Sequence, residues 1–278
     1  MEKDESDLSI FDQPHVLQIM FYPRRDFPGS PSTSDASVHL VDVGEDISIG
    51  CRFYRIGPNA PNILYFHGNG EIASDYDPIA PQYNRRKINL FVADYRGYGI
   101  SGGHPTATNM IRDAHKVFQG FKEILEETGM TGPLFLMGRS LGSASAIELA
   151  LHYQGEAKGL IVESGFSDAL GLLSRFGVTV KAAREEIGTF NLKKIRAISI
   201  PTLIIHSQYD HIIPVDEGIQ LHNVSGAKEK ELVIIPNANH NDLMVVGMDQ
   251  YFKAIEKFVF ANRCPSQGGG EDFQPPKT

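Results

Sequence analysis

From about residue 62 onward, short apolar runs alternate with longer amphipathic stretches. The runs are NILYF (62–66), NLFVAD (89–94), PLFLMG (133–138), GLIVES (159–164), TLIIHS (202–207) and ELVIIP (231–236). Runs this short, apolar without alternation, predict strands buried on both faces. Residues 109–127 place Ile111, Ala114, Val117, Phe118, Phe121, Ile124 and Leu125 on one helical stripe. Residues 141–153 and 248–261 predict two more helices, and a helix-like segment follows NILYF. Such alternation predicts βαβ units on a parallel sheet covered on both sides. Upstream, VHLVDV (38–43) and ISIGCRFYR (47–55) alternate with period two and predict two antiparallel strands joined near Gly44-Glu45-Asp46. They would add an antiparallel edge to a sheet of about eight strands.

The ends read differently. Residues 1–11 look frayed, Asp12 is placed to cap a short helix through Val16, Ile19 and Met20, and YPRRDFPGSPSTS (22–34) is loop. The expected organisation is an N-terminal extension over 1–34, one domain over 35–262 with a short lid insertion at about 164–200, and a flexible C-terminal tail over 263–278. The 278 residues are 41% apolar, enough for one large core. The net charge of −8 argues against a nucleic-acid partner or an anionic membrane surface. Cys51 and Cys264 are too few and too far apart for a disulfide framework or a metal cluster. MEKDESDLSI lacks the pattern of a secretory signal, and no apolar run approaches membrane-spanning length, so a soluble cytoplasmic protein without an integral membrane segment is expected.

The chemistry concentrates at Gly138-Arg139-Ser140-Leu141-Gly142. G-x-S-x-G between a strand and a helix is a nucleophile elbow: the tight turn pushes the serine hydroxyl out of the sheet edge, and only small residues fit two positions before and after it. The bland alternative is a Gly-Ser turn that merely caps a helix. A serine hydroxyl needs a base, and the elbow implies the chain order serine, acid, histidine. Asp210, after TLIIHS, and His240, after ELVIIP, fit in type, order and place. Glu163 is the rival acid because it ends GLIVES. His206 and His211 are rival bases, the first expected to be packed within its strand and the second too near Asp210 in sequence. Nothing else in the chain completes a metal-ligand set with them.

Gly68-x-Gly70-x-x-Ala73 offers a competing reading. It follows a strand, and Asp94 lies about twenty residues on, as in a dinucleotide-binding fingerprint that would make the chain an NAD(P)-dependent oxidoreductase. Against it, His67 sits in the turn, two strands precede the unit, and the serine constellation would be coincidence. Asp94 then becomes a structural residue holding the Arg96-Gly97 turn, His67 a residue holding its own loop, and Arg96 an ion-pair partner.

HGNG (67–70), ADYRGYGISGG (93–103), GRSLG (138–142), the Asp210 turn and the His240 loop together resemble the α/β-hydrolase superfamily, in its branch of Bem46-like proteins and depalmitoylase-like serine hydrolases. The resemblance covers about residues 35–262, and FYPRR (21–25) is similar to the segment before the first strands of that branch. It implies an α/β-hydrolase fold, a serine hydrolase cleaving ester or thioester bonds of a small-molecule or acyl substrate, and a Ser140–His240–Asp210 triad. It also implies an oxyanion hole made by the backbone N–H groups of Asn69 and Leu141, with no metal and no cofactor. The depalmitoylases of the branch carry a cysteine-rich, lipidated N-terminus, whereas the first cysteine here is Cys51. Leu170, Leu172, Leu173, Phe176, Val178 and Val180 are candidates for an acyl-side wall, or for ordinary helix packing. A non-catalytic α/β-hydrolase-fold binding protein is the remaining alternative, since a fold can outlive its chemistry.

Overall fold

The computed structural model describes residues 8–26, 36–180 and 187–263. The expected C-terminal tail from Cys264 onward and parts of the expected loop and lid lie outside them. Among the described residues, eight strands form one sheet in the order β1-β2-β4-β3-β5-β6-β7-β8. They are β1 (Ala36–Gly44), β2 (Ile47–Tyr54), β3 (Asn62–Phe66), β4 (Asn89–Ala93), β5 (Leu134–Arg139), β6 (Ala157–Glu163), β7 (Thr202–Ser207) and β8 (Lys230–Ile235). β2 pairs antiparallel with both β1 and β4, and every later pairing is parallel. The expected antiparallel edge is therefore a single reversed strand. Glu45 and Asp46 take φ of 60° and 56° in the tight connection between β1 and β2, where short polar residues tolerate the left-handed region.

Among the described residues the α-helices are α1 (Pro14–Met20), α2 (Ala80–Arg85), α3 (Ala107–Glu127), α4 (Gly142–His152), α5 (Ala169–Arg175), α6 (Phe190–Arg196), α7 (Val215–Val224), α8 (Leu243–Val246) and α9 (Met248–Ala261). The two sheet faces bury alternate residues of β3 to β7, whereas β8, expected to be buried on both faces, is an edge strand in which only Ile235 is buried. Leu64, Phe66, Leu136 and Ile204 pack on one side with α3, α4 and α6. Ile63, Tyr65, Met137 and Ile205 pack on the other with α2, α8 and α9. Burial on both faces explains why these strands read as unbroken apolar runs. α3 starts where Thr106 Oγ1 accepts the Asn109 N–H at 3.0 Å, a side-chain cap. Its stripe from Met110 through Val117, Phe118 and Phe121 is buried against the sheet.

Several expectations are corrected. The segment after NILYF is not one helix but a 3-10 turn, Ala73–Tyr76, followed by the six-residue α2. Of the stretch expected to be frayed, Leu8–Asp12 is a 3-10 helix whose Leu8 and Phe11 enter the core. α1 is preceded by Gln13, with Pro14 opening its first turn, and Asp12 instead accepts the Thr108 N–H. α7 carries too little apolar periodicity to be read from sequence, burying Gly218 and Leu221. Among the described residues, no helix is long and apolar enough to cross a membrane.

Candidate active site

Ser140 occupies the turn between β5 and α4 with φ of 51°, a backbone conformation that costs a non-glycine residue on the order of 1 kcal/mol or more. Its neighbours enforce the turn. A Cβ on Gly138 would lie 2.2 Å from the Gly142 carbonyl oxygen, and one on Gly142 would lie 2.2 Å from that of Phe66. The Ser140 N–H donates to the Glu163 carbonyl at 2.8 Å, fixing the turn to the end of β6. Ser143, Ala144 and Ala146 are fully buried, which lets α4 lie close on the sheet.

Across the same sheet edge, His240 Nε2 lies 3.0 Å from Ser140 Oγ, and Nδ1 lies 2.6 Å from Asp210 Oδ2. Asp210 Oδ1 accepts the N–H groups of Ile212 at 3.0 Å and Ile213 at 2.7 Å. Burial pushes the Asp210 carboxyl up, but the hydrogen bond and charge of His240 and the Ile213 N–H outweigh it, so its pKa lies below the ordinary value. An ionised Asp210 leaves the imidazole hydrogen on Nδ1 and the Nε2 lone pair toward the serine hydroxyl.

Glu163 and His206 have other hydrogen-bond partners, although His206 Nε2 also lies 3.6 Å from Asp210 Oδ2. Glu163 is 1% exposed and points into a buried polar cluster: Tyr65 and Tyr251 donate to its Oε2 at 3.1 and 2.8 Å, and Arg139 Nε donates to its Oε1 at 3.1 Å. Burial raises its pKa, with Arg139 and the Tyr251 hydroxyl only partly opposing the rise. His206 is fully buried in β7, and its Nε2 donates to the Ile213 carbonyl at 2.8 Å. His211 is exposed.

The turn after β3 is tightly held. His67 is fully buried, with Nδ1 2.8 Å from the Gly68 carbonyl and Nε2 3.1 Å from Asp94 Oδ1. Asp94 Oδ1 also accepts the Ala73 N–H at 2.8 Å, which corrects the expectation that Asp94 holds the Arg96-Gly97 turn. Arg96 pairs instead with Asp113, at 2.6 and 3.0 Å, and with Glu45 at 2.7 Å. Against the dinucleotide reading, the Asp94 carboxylate is committed inside the fold and the turn leads into a four-residue 3-10 helix. The Asn69 side-chain oxygen accepts the Tyr22 N–H and the Tyr98 hydroxyl, each at 2.7 Å. FYPRR is thus a strap across this loop. Among the described residues, neither the Asn69 nor the Leu141 backbone N–H has a hydrogen-bond acceptor.

In the segment expected to form a lid, Leu173 is buried, Leu170, Leu172, Val178 and Val180 pack partly against the core, and Phe176 is exposed. Among the described residues, one group has the donors for a metal: His115 on α3 with Glu148 and His152 on α4. Both imidazoles lie 3.2 Å from Glu148 Oε1, and the Lys194 ammonium pairs with Oε2 at 2.5 Å. A lysine thus already supplies the positive charge that a metal would bring.

Sequence reasoning passed over Arg139 and Glu71. For Arg139 with Glu163 a signal was present, since β5 ends in the one and β6 in the other and the two are register partners; for Glu71, 68 residues from Arg139, there was none. Opposite charges closing two adjacent apolar strands imply a buried pair.

A family profile described as "Serine aminopeptidase, S33" matches residues 57–172. Human alpha/beta hydrolase domain-containing protein 17B is 30% identical over 245 residues, covering 85% of this chain and 80% of that protein. Protein bem46 of Schizosaccharomyces pombe is 28% identical over 216 residues, covering 73% and 68%. The Pyrococcus furiosus esterase Pf2001 superposes with a TM-score of 0.71 at 16% identity, covering 87% of this chain and 99% of that one. Fold and similarities together define an α/β-hydrolase of the serine hydrolase class. Within that class, the chain belongs to the family of the Bem46 and alpha/beta hydrolase domain-containing 17 proteins.

Proposed function

We propose that this serine hydrolase cleaves carboxylic ester or thioester bonds of an acyl substrate through an acyl-enzyme on Ser140. The observation that carries the reading is the imidazole of His240, placed 3.0 Å from Ser140 Oγ and 2.6 Å from Asp210 Oδ2. His240 takes the Ser140 proton as the oxygen attacks the substrate carbonyl. Asp210 holds the productive tautomer and stabilises the imidazolium that forms. The tetrahedral oxyanion accepts hydrogen bonds from the Asn69 and Leu141 N–H groups, and the bond to the leaving alcohol or thiol then breaks as His240 returns the proton to it. Water, deprotonated by His240, attacks the acyl-enzyme and releases the acid and free Ser140.

The unaccepted N–H groups, the strapped Asn69 side chain and the start of α4 just past the serine support this assignment. We take residues 35–262 as the hydrolase domain and about 164–200 as its short lid. Hydrolysis of chromogenic esters of two to sixteen acyl carbons by wild type and Ser140→Ala tests the reading. Turnover with a preferred chain length, abolished in the variant, is expected. Undiminished turnover by Ser140→Ala would contradict it.

A further inference from the structure

We infer that Arg139, the residue between Gly138 and the serine, is a positioning residue that locks the loop of Asn69 to the loop of His240. The inference rests on the proposed roles of Ser140, His240 and Asn69. Arg139 is the last residue of β5 and is 5% exposed. Its one planar guanidinium reaches three separate parts of the site. Nε donates to Glu163 Oε1 at 3.1 Å, Nη1 to Glu71 Oε1 at 2.5 Å, and Nη2 to the main-chain carbonyl of His240 at 2.7 Å.

Each contact leads to a proposed working group within one or two residues. Glu71 passes the constraint on: its Oε2 accepts the Gly68 N–H at 2.8 Å and the Tyr76 hydroxyl at 2.8 Å. Gly68 precedes Asn69, and a Cβ there would lie 2.5 Å from Arg139 Nη1, so the loop sits directly on the guanidinium. Glu163 accepts the Ser140 N–H through its carbonyl while its carboxylate holds Arg139. The third contact is to His240 itself. The serine turn, the oxyanion loop and the histidine loop are therefore all referenced to one rigid fork.

Charge balance alone does not require this geometry. A main-chain carbonyl carries no net charge, and the Gly68 N–H is held through a directional hydrogen-bond relay. A lysine ammonium is a single point on a flexible stem and cannot span three acceptors in one plane. Catalytic steps depend steeply on such placement, with a misplacement of about 1 Å costing about 10²-fold in rate.

The decisive variants are Arg139→Lys, which keeps the buried charge, and Glu71→Gln, whose side chain is 26% exposed and which removes one acceptor oxygen from the relay. Both are assayed for kcat and KM on a short-chain chromogenic ester, beside thermal melting and Ser140→Ala. Expected are a kcat loss of about 10²-fold for Arg139→Lys and about tenfold for Glu71→Gln, with KM within about threefold. The double variant should lose little more than Arg139→Lys alone, because both act through one relay. Wild-type kcat in either folded variant overturns the inference and leaves Arg139 as charge compensation. Should Arg139→Lys not fold, Glu71→Gln decides alone. If Ser140→Ala keeps wild-type turnover, the proposed mechanism itself has failed, an outcome separable from normal kcat in these two variants with Ser140→Ala inactive.

Discussion

β6 ends in Glu163, and Asp210 follows β7, the next strand in the sheet. Both are buried carboxylates at the same sheet edge, and each stands where a triad acid belongs. Asp210 accepts two backbone N–H groups and an imidazole, which hold it ionised and aimed at His240. Glu163 turns into the fold, where two tyrosine hydroxyls and a guanidinium take its oxygens and burial raises its pKa. Position in the chain does not separate the two acids; their donors do. The acid that orients a base needs one oxygen fixed by the backbone and the other free to face the imidazole. The acid beneath the site is instead saturated by fixed side chains and serves as scaffold.

The sharpest way to break this contrast is Asp210→Asn. It keeps the shape but turns the amide toward the imidazole and favours the wrong tautomer, so kcat should fall by about 10⁴-fold with the melting temperature nearly unchanged. A loss below about tenfold would remove Asp210 from the mechanism. Glu163→Gln should do the reverse. It keeps an oxygen for Arg139, so kcat should stay within about threefold, while the repacked cluster loses about 1–3 kcal/mol of stability in urea unfolding. A large kcat loss with stability intact would make Glu163 the working acid.

Glu148 sharpens the comparison further. It is bound by imidazole as Asp210 is, with His115 Nε2 3.2 Å from its Oε1, but that histidine's other nitrogen, Nδ1, meets the Tyr153 hydroxyl at 3.0 Å and no serine. His115→Ala should therefore leave turnover unchanged. Burial pushes the Glu148 carboxyl up, but the His115 hydrogen bond and Lys194 outweigh this and hold it at about 2. A folded pKa below the unfolded one stabilises the protein above the unfolded value of about 4.5 and ceases to do so as pH falls toward 2. The loss should be about 1–3 kcal/mol across that window. Glu148→Gln should flatten that part of the acid-unfolding profile, read by urea titrations at pH 6 and pH 3.

The strands β3 to β7 were legible because burial on both faces leaves no alternation, and the elbow because two backbone approaches of 2.2 Å demand glycine at Gly138 and Gly142. The chain order of Ser140, Asp210 and His240 was readable for a related reason: each follows a parallel strand, and one sheet edge gathers them. α7 was hidden because tertiary packing of Leu221, rather than a long stripe, holds it. Asp94 was misread because its partners, His67 and the Ala73 N–H, lie 27 and 21 residues away in sequence. The Arg139 fork was missed for the same reason, since Glu71 and His240 meet it across 68 and 101 residues.

The most direct test of the central claim is intact-protein mass spectrometry after exposure to an aryl organophosphonate, which traps a serine made nucleophilic by a neighbouring base. Wild type should gain one adduct, mapped to Ser140, and Ser140→Ala none. An adduct that persists in Ser140→Ala, or that maps to another residue, would contradict the account.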